Sequence, residues 1–366
     1  MTEKEIFKFK IKDKFKNPII DNGNFKKTFK KYSNINKNHI ILWILTISVI
    51  IFFSLIVIFV NVDKNGHFIK LRDLKDTFVL SYETILQIWI SGMSIGISAF
   101  FLQRMTNNRL VDTSTIGIGN ICLIGLIILV LSLSFESGFE AQNLFQKIVP
   151  FVFIISSIVS GLGLYFFSKR RHGFNNRKLI ICGVFINCIS IALAISLKSN
   201  LTKVGSEYLD SRIVGAFDTR SYLEEYLSYG IFLFIILWCF IRSPKFKIVL
   251  TDNIIAEQLG LKVKLINLEM ILITSILTGV SYIMSGNVLF LGVASANIAY
   301  SFHGKKVMRS MLFSGLTTTL FLLVGQFFLS NIVFNLTQLY FETPMITTLL
   351  VTPIFIAVIL LKKQKI

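Results

Sequence analysis

The chain has 366 residues, 53% of them hydrophobic and 16% charged, with 35 phenylalanines and a mean hydropathy of +0.68. Soluble domains carry roughly 25% charged residues, so a wholly water-facing globule is excluded and a polytopic membrane protein is implied. Thirty-eight Lys and Arg against 20 Asp and Glu leave a net charge of +18, yet the basic residues lie between apolar runs rather than on one domain. A membrane protein explains that distribution without a nucleic-acid partner.

Residues 1–39 carry 11 lysines among Asn and Phe with no sustained apolar face, and are expected to form a disordered, basic cytoplasmic tail. A span needs about 20 apolar residues, and Ile40 to Val60 supplies 21 without a charge. It reads as an anchor rather than a cleaved signal, because its basic flank is far longer than that of a signal peptide and no small-residue cleavage site follows. Further spans are expected near Ile85–Gln103, Thr113–Phe135, Ile148–Ser168 and Leu179–Leu197. After a polar segment they resume near Tyr226–Ile241, Leu265–Ser285, Val288–Phe302, Met311–Ser330 and Met345–Leu361. The expected architecture is an all-α polytopic membrane protein of about ten transmembrane helices over residues 40–361, with a basic cytoplasmic tail at 362–366.

With the N-terminus inside, the inner segments hold 29 Lys and Arg and the outer loops nine, whereas acidic residues number seven inside and 12 outside, with Glu269 left within a span. This alternation follows the positive-inside rule and places both termini in the cytoplasm. Dropping the short span Val288–Phe302 would put Lys305, Lys306 and Arg309 outside.

Several chemistries have no residues to carry them. Cys122, Cys182, Cys188 and Cys239 lie inside apolar runs with no CxxC spacing, so buried free thiols are expected rather than a disulfide framework or a zinc site. His39, His67, His172 and His303 are scattered, and no metal site is assigned. No GxxxxGK[ST] phosphate loop occurs, so the chain is not expected to be its own ATPase of that type. Glu269 is the one ionisable group expected inside a span, which disfavours an ion-coupled carrier, although unwound backbone can also bind ions.

Four segments in order carry a family resemblance. Gly92-Met93-Ser94-Ile95-Gly96 leads to Gln103 and then to Asn108-Arg109-Leu110-Val111-Asp112 and Gly117. Ala256-Glu257-Gln258-Leu259-Gly260-Leu261-Lys262-Val263 follows, then Phe290-Leu291-Gly292-Val293 running to Gly304, and last Thr347-Thr348-Leu349-Leu350-Val351-Thr352-Pro353-Ile354-Phe355. Together they resemble the permease subunits of ABC importers for ferric siderophores, haem and cobalamin, whose patterns read glycine-rich helix, RNPLAxP, AxxLGVxV, FVGLxxPHxxRxxxG and TALLGAPFF. The resemblance covers about residues 80–361, and the ten spans counted above equal the number of this type II importer family.

Departures are also visible. The RNPLAxP arginine is Asn107 here and its prolines are Arg109 and Thr113; the third motif's Pro, His and Arg are Ala296, Asn297 and Tyr300. The outer RxPR falls on Ser81, Tyr82, Glu83 and Thr84, so the arginines with which the family docks its binding protein are missing, and docking on Arg212 and Arg220 is an alternative.

The resemblance implies that Asn108 and Leu110 form a cytoplasmic gate, against the plainer reading of a helix cap and a packing side chain. It implies that Ala256, Leu259 and Gly260 belong to an ATPase-coupling loop at about 245–264, against that of an ordinary amphipathic loop. Gly92, Gly96, Gly161, Gly163, Gly279 and Gly292 are expected to permit close helix approach. Gln103, Asn120, Asn187 and Gln326 either line the pathway or tie helices together. Ser91-Gly92-Met93-Ser94 recurs as Thr278-Gly279-Val280-Ser281, which is either the trace of an inverted repeat or chance.

The implied function is that of a non-enzymatic permease subunit with no bound cofactor. Its implied partners are a second permease subunit, self or paralogue, two cytoplasmic ATPase subunits carrying ATP and Mg, and an extracytoplasmic binding protein or lipoprotein. The alternative is an ATP-independent carrier or channel that retains the fold.

Overall fold

The computed structural model describes residues 42–57, 74–132, 139–169, 175–214, 217, 220–304, 306–329, 343–344 and 346–353. The tails expected at 1–39 and 362–366 lie outside the described residues, as do 354–361 of the last expected span. Every regular element described is helical. They are α1 Leu42–Val57, α2 Leu74–Thr106, α3 Ile118–Ser132, α4 Phe139–Ser168, α5 Asn176–Lys198 and α6 Lys203–Val214. They continue with α7 Tyr222–Val249, α8 Asn253–Gln258, α9 Val263–Ser285, α10 Leu291–His303, α11 Val307–Phe328 and α12, residues 346–353.

Among the described residues six helices are long and apolar enough to cross a membrane: Tyr82–Thr106 within α2, Gln146–Ser168 within α4, and α5, α7, α9 and α11. At 1.5 Å per residue the 23 residues of α9 reach about 35 Å, more than the roughly 30 Å hydrocarbon core. The 15 residues of α3 and 13 of α10 reach only about 22 and 20 Å. Helix α10 is buried over Leu291–Asn297 against α2 and α11, while Leu289, Phe290 and Phe302 at its two ends are exposed. Gly286, at φ 69°, closes α9, and Phe290, at φ 58°, opens α10.

The core is built around α2, which packs on α9, α10 and α11, while α9 also packs on α4 and α7. Glycines set the separations. A Cβ on Gly92 would stand 2.7 Å from the Thr319 Cα, and one on Gly96 would stand 2.4 Å from the Ser314 carbonyl oxygen of α11. One on Gly279 would meet Ser157 Oγ of α4 at 2.7 Å. The repeated Ser/Thr-Gly-x-Ser segments thus each sit at a close helix contact, α2 with α11 and α9 with α4. Gly163 is different, since nothing lies within 4 Å of the place its Cβ would take.

Many of the hydroxyls buried in this core bond to their own helices, as where Ser98 Oγ donates to Ile95 O at 2.9 Å and Thr278 Oγ1 to Thr274 O at 2.7 Å, whereas those of Ser94, Ser160 and Ser275 have no hydrogen-bond partner among the described residues. A few cross between helices: Ser314 Oγ donates to Gly96 O and Thr318 Oγ1 to Ser295 Oγ, both at 2.7 Å. Without water, such bonds are what makes a buried hydroxyl tolerable.

Among the described residues three ion pairs form: Lys198 at the end of α5 meets Asp210 of α6 at the surface, and two more join neighbouring helices. Arg242 of α7 holds Glu269 of α9 through both its Nε, at 3.1 Å from Oε2, and its Nη2, so the acid expected within a span is committed to a neighbouring helix. Arg212 of α6 is buried, bonding Glu224 Oε1 at 2.9 Å and Ile283 O at 3.2 Å. Glu224 in turn closes a capping box with Ser221 at the start of α7. Arg212 is therefore interior structure and is corrected as a docking residue: the short amphipathic α6, hidden in a stretch that reads as polar loop, turns it inward.

Candidate functional site

The segment between α2 and α3 is shaped by its small polar residues. Asn107 takes φ 51° just past Thr106, a left-handed conformation that asparagine tolerates better than other side chains. Asn108 Oδ1 accepts the Leu110 N–H at 3.0 Å, closing a local turn. Asn108 is half-buried and Leu110 is 59% exposed, while Val111 on its far side enters the core. The loop therefore presents one apolar side chain outward from a backbone pinned at both ends.

Asp112 provides the inner pin. Its N–H donates to Thr115 Oγ1 at 2.9 Å, Thr115 Oγ1 donates back to Asp112 O at 2.8 Å, and Asp112 Oδ1 accepts the Thr113 N–H at 2.7 Å. The carboxyl is 1% exposed, and its Oδ2 has no hydrogen-bond partner. Burial raises its pKa from 3.8 to about 6, while hydrogen bonds from Thr113, Ser114 and the Val293 backbone pull the other way. Gly292 makes room for this carboxyl, because a Cβ there would lie 2.7 Å from both Asp112 Oδ1 and Ala99 Cβ.

The second pin comes from α10. Asn297 Nδ2 donates to Arg109 O at 2.7 Å and to Val293 O at 2.8 Å, and Gln103 Nε2 donates to the same Val293 oxygen at 3.4 Å. The Arg109 guanidinium lies 4.1 Å from the centroid of the Tyr300 ring, and that of Arg104 lies 5.5 Å away. Asn297, Tyr300 and Arg109 appear in the sequence only as departures from the family patterns. In space they meet: tyrosine stands where the family has an arginine on the helix, and arginine stands where it has a proline on the loop. That paired exchange was the available signal.

At its far end the loop meets α5. Gly117 has φ 82°, and a Cβ there would lie 2.7 Å from the Asn187 Cα, a position that excludes any side chain. Asn120 Nδ2 donates to Asn187 Oδ1, so these two amides tie α3 to α5. Gln103 is likewise engaged with α10, and Gln326 is hydrogen-bonded to Thr343.

The other candidate element is α8, six residues capped by Asp252, whose carboxylate accepts the Ile254 N–H at 2.8 Å. Gly260 at φ 75° ends it, with Gly260 N–H to Glu257 O at 2.9 Å and Leu261 N–H to Ala256 O at 3.0 Å. This pair of bonds is a Schellman termination. No atom crowds Gly260, so its glycine answers to backbone conformation alone. Ala256 is fully buried and Leu261 packs on the same core, whereas Ile254, Ile255 and Leu259 are 68%, 49% and 63% exposed. Beside them lies a groove of about 400 Å³ lined by Pro244, Lys247, Ile248, Thr251, Asp252, Ile255 and Leu259. The expected loop at 245–264 is shorter than its sequence suggests, because buried Phe246 and Val249 carry α7 on past Pro244 to Val249. Among the described residues no group of three or more His, Cys, Asp or Glu is placed to hold a metal.

Three comparisons bear on this arrangement. The chain is 25% identical over 258 residues to the petrobactin import system permease protein YclN of Bacillus subtilis, covering 69% of this chain and 76% of that one. It is 23% identical over 287 residues to the vitamin B12 import system permease protein BtuC of Serratia proteamaculans, covering 74% and 77%. A solved structure of a metal-chelate type ABC transporter in an inward-facing conformation has the same fold, with a TM-score of 0.68 at 17% identity over 86% of this chain and 96% of that one. The profile of the FecCD transport family matches residues 37–362, nearly the whole chain, and the protein belongs to that family.

Proposed function

We propose that the chain is the membrane-spanning permease subunit of an ATP-driven ABC importer for an iron chelate, siderophore or haem, or for a cobalamin-like solute. It crosses the membrane ten times, with both termini in the cytoplasm and α1, α3, α10 and α12 adding to the six long spans. It pairs with a second permease subunit, takes solute from an extracytoplasmic binding protein or lipoprotein, and binds two cytoplasmic ATPases that carry ATP and Mg. No cofactor is bound by the chain itself. Relatives named for petrobactin and vitamin B12 import support the substrate class.

The observation that carries the reading is α8: a capped six-residue helix exposing Ile254, Ile255 and Leu259 from a polar loop beside an apolar groove. Exposed apolar side chains on a rigid, pre-formed turn suit insertion into a cleft of a partner. Because Ala256 and Leu261 anchor that turn in the core shared with α7 and α9, a pull on α8 moves both helices as rigid rods. Helix α9 is packed on α2, whose end bears the gate at Asn108 and Leu110. ATPase closure thereby tilts the helices that hold the gate, a rigid-body form of alternating access.

The test is ATP hydrolysis and solute uptake in proteoliposomes with the candidate ATPase, comparing native protein with Leu259→Arg and Gly260→Pro. Leu259→Arg should fold, whereas Gly260→Pro can neither hold φ 75° nor donate to Glu257 O and should disrupt the turn itself; both should lose ATPase binding and uptake. Uptake that persists without an ATPase, and is native-like in both variants, would instead support an ATP-independent carrier or channel, the reading that the absent outer arginines and buried Arg212 favour.

A further inference from the structure

Beside the gate lies a cavity of about 180 Å³ lined by Phe100, Gln103, Arg104, Asn107, Arg109, Ala296 and Tyr300. Its lining contains two guanidinium groups, two side-chain amides and a phenol, and no carboxylate. The acid in the loop, Asp112, is buried, is not among the lining residues and accepts from Thr113. Nothing in the gate's proposed role requires two like charges at one ring. Their presence together brings two positive charges to one recess whose lining is mostly polar, with Phe100 and Ala296 as its apolar part.

We infer that this recess is a binding site for a small oxyanion, a carboxylate or phosphate group, held between Arg104 at the end of α2 and Arg109 in the gate loop. Planar guanidinium groups match both oxyanions in fork geometry. Tyr300 orients both cations, its ring 4.1 Å from the Arg109 guanidinium and 5.5 Å from that of Arg104, and Asn297 holds the Arg109 backbone in place. The cavity has the volume of about six waters, so it takes one acidic group rather than a whole chelate, whose pocket would be roughly 300 Å³ or more. Two sources supply that chemistry: the acidic arm of an outgoing chelate, and the phosphate of a membrane lipid. This inference rests on the gate assignment above for its functional meaning, since an anion here cross-links the gate loop to the end of α2.

The binding test needs neither ATPase nor transport, so it stands apart from the importer reading. Purified full-length chain in phosphatidylcholine nanodiscs is titrated calorimetrically with citrate and with inorganic phosphate. Saturable binding is expected, weakened about tenfold or more in Arg109→Gln and in Arg104→Gln, in keeping with charged hydrogen bonds, and unchanged in Arg177→Gln, a cation outside the cavity. Arg109 is exposed, so its variant is expected to fold even if Arg104→Gln does not. Repeating the titration with phosphatidylglycerol in the nanodisc separates the sources: competition that vanishes in Arg109→Gln identifies a lipid phosphate, and undiminished binding identifies a soluble acid. Absence of saturable binding by the native chain, or equal binding by Arg109→Gln and Arg177→Gln, overturns the site.

Discussion

Replacing Gly96 with Ala adds one methyl group at a contact that has no room for it. The new Cβ would stand 2.4 Å from Ser314 O and 2.5 Å from Thr318 Oγ1, and the nearer obstacle is backbone, which moves only if α11 moves. Overpacking of this kind costs about 1–3 kcal/mol. Separating the helices also breaks the Ser314 Oγ to Gly96 O bond of 2.7 Å, worth roughly 0.6–1.7 kcal/mol between membrane helices. The expected loss is about 2–4 kcal/mol, about 3–5 °C in Tm for a chain of this size. Gly163→Ala is the matched control, the same methyl on a helix with nothing within 4 Å. It should leave stability within ~1 kcal/mol of native, on the stabilising side, as helix propensity favours alanine. Reversible unfolding in mixed micelles measures both. Equal stability of the two variants would refute the claim that glycine sets the α2–α11 separation.

Three further outcomes are expected. Because the native Asp112 carboxyl binds its proton more tightly than the unfolded one, its contribution to stability is complete below pH 3.8 and is lost as pH rises through about 6. The full difference amounts to about 3 kcal/mol, of which about 2 kcal/mol falls between pH 4.5 and 7.5; denaturation at those two pH values should show Asp112→Asn lacking that part of the native pH dependence, and identical profiles would count against a buried, protonatable group. Arg212→Ala leaves Glu224 buried and unpaired and should cost about 3–5 kcal/mol, whereas the double change Arg212→Met with Glu224→Leu should cost much less; equal losses in thermal unfolding would contradict this. Gly260→Ala must hold φ 75° and should cost about 1–2 kcal/mol, with Gly260→Asn milder, as read from unfolding midpoints.

The membrane class was legible from composition, because hydrocarbon imposes a length and polarity that few other environments demand. Among the described residues helix occurs within each expected span, and the α8 turn was visible in Leu259-Gly260, since a left-handed helix end is a local requirement that one residue type meets best. Contacts between distant segments were not legible in this way. Glu269 reads as a lone acid in a span until Arg242, 27 residues earlier, lies beside it. Arg212 reads as a surface cation until α6 turns it toward Glu224. Tyr300 and Arg109 look like two unrelated departures, and only folding α10 against the gate loop brings ring and guanidinium within 4.1 Å. Hydrophobic patterning specifies which residues leave water and which backbone shapes are cheap, and these are short-range properties. Which charge answers which, and what cavity remains between them, depends on helix packing set by glycines on partner helices, so it was decided only in the tertiary structure.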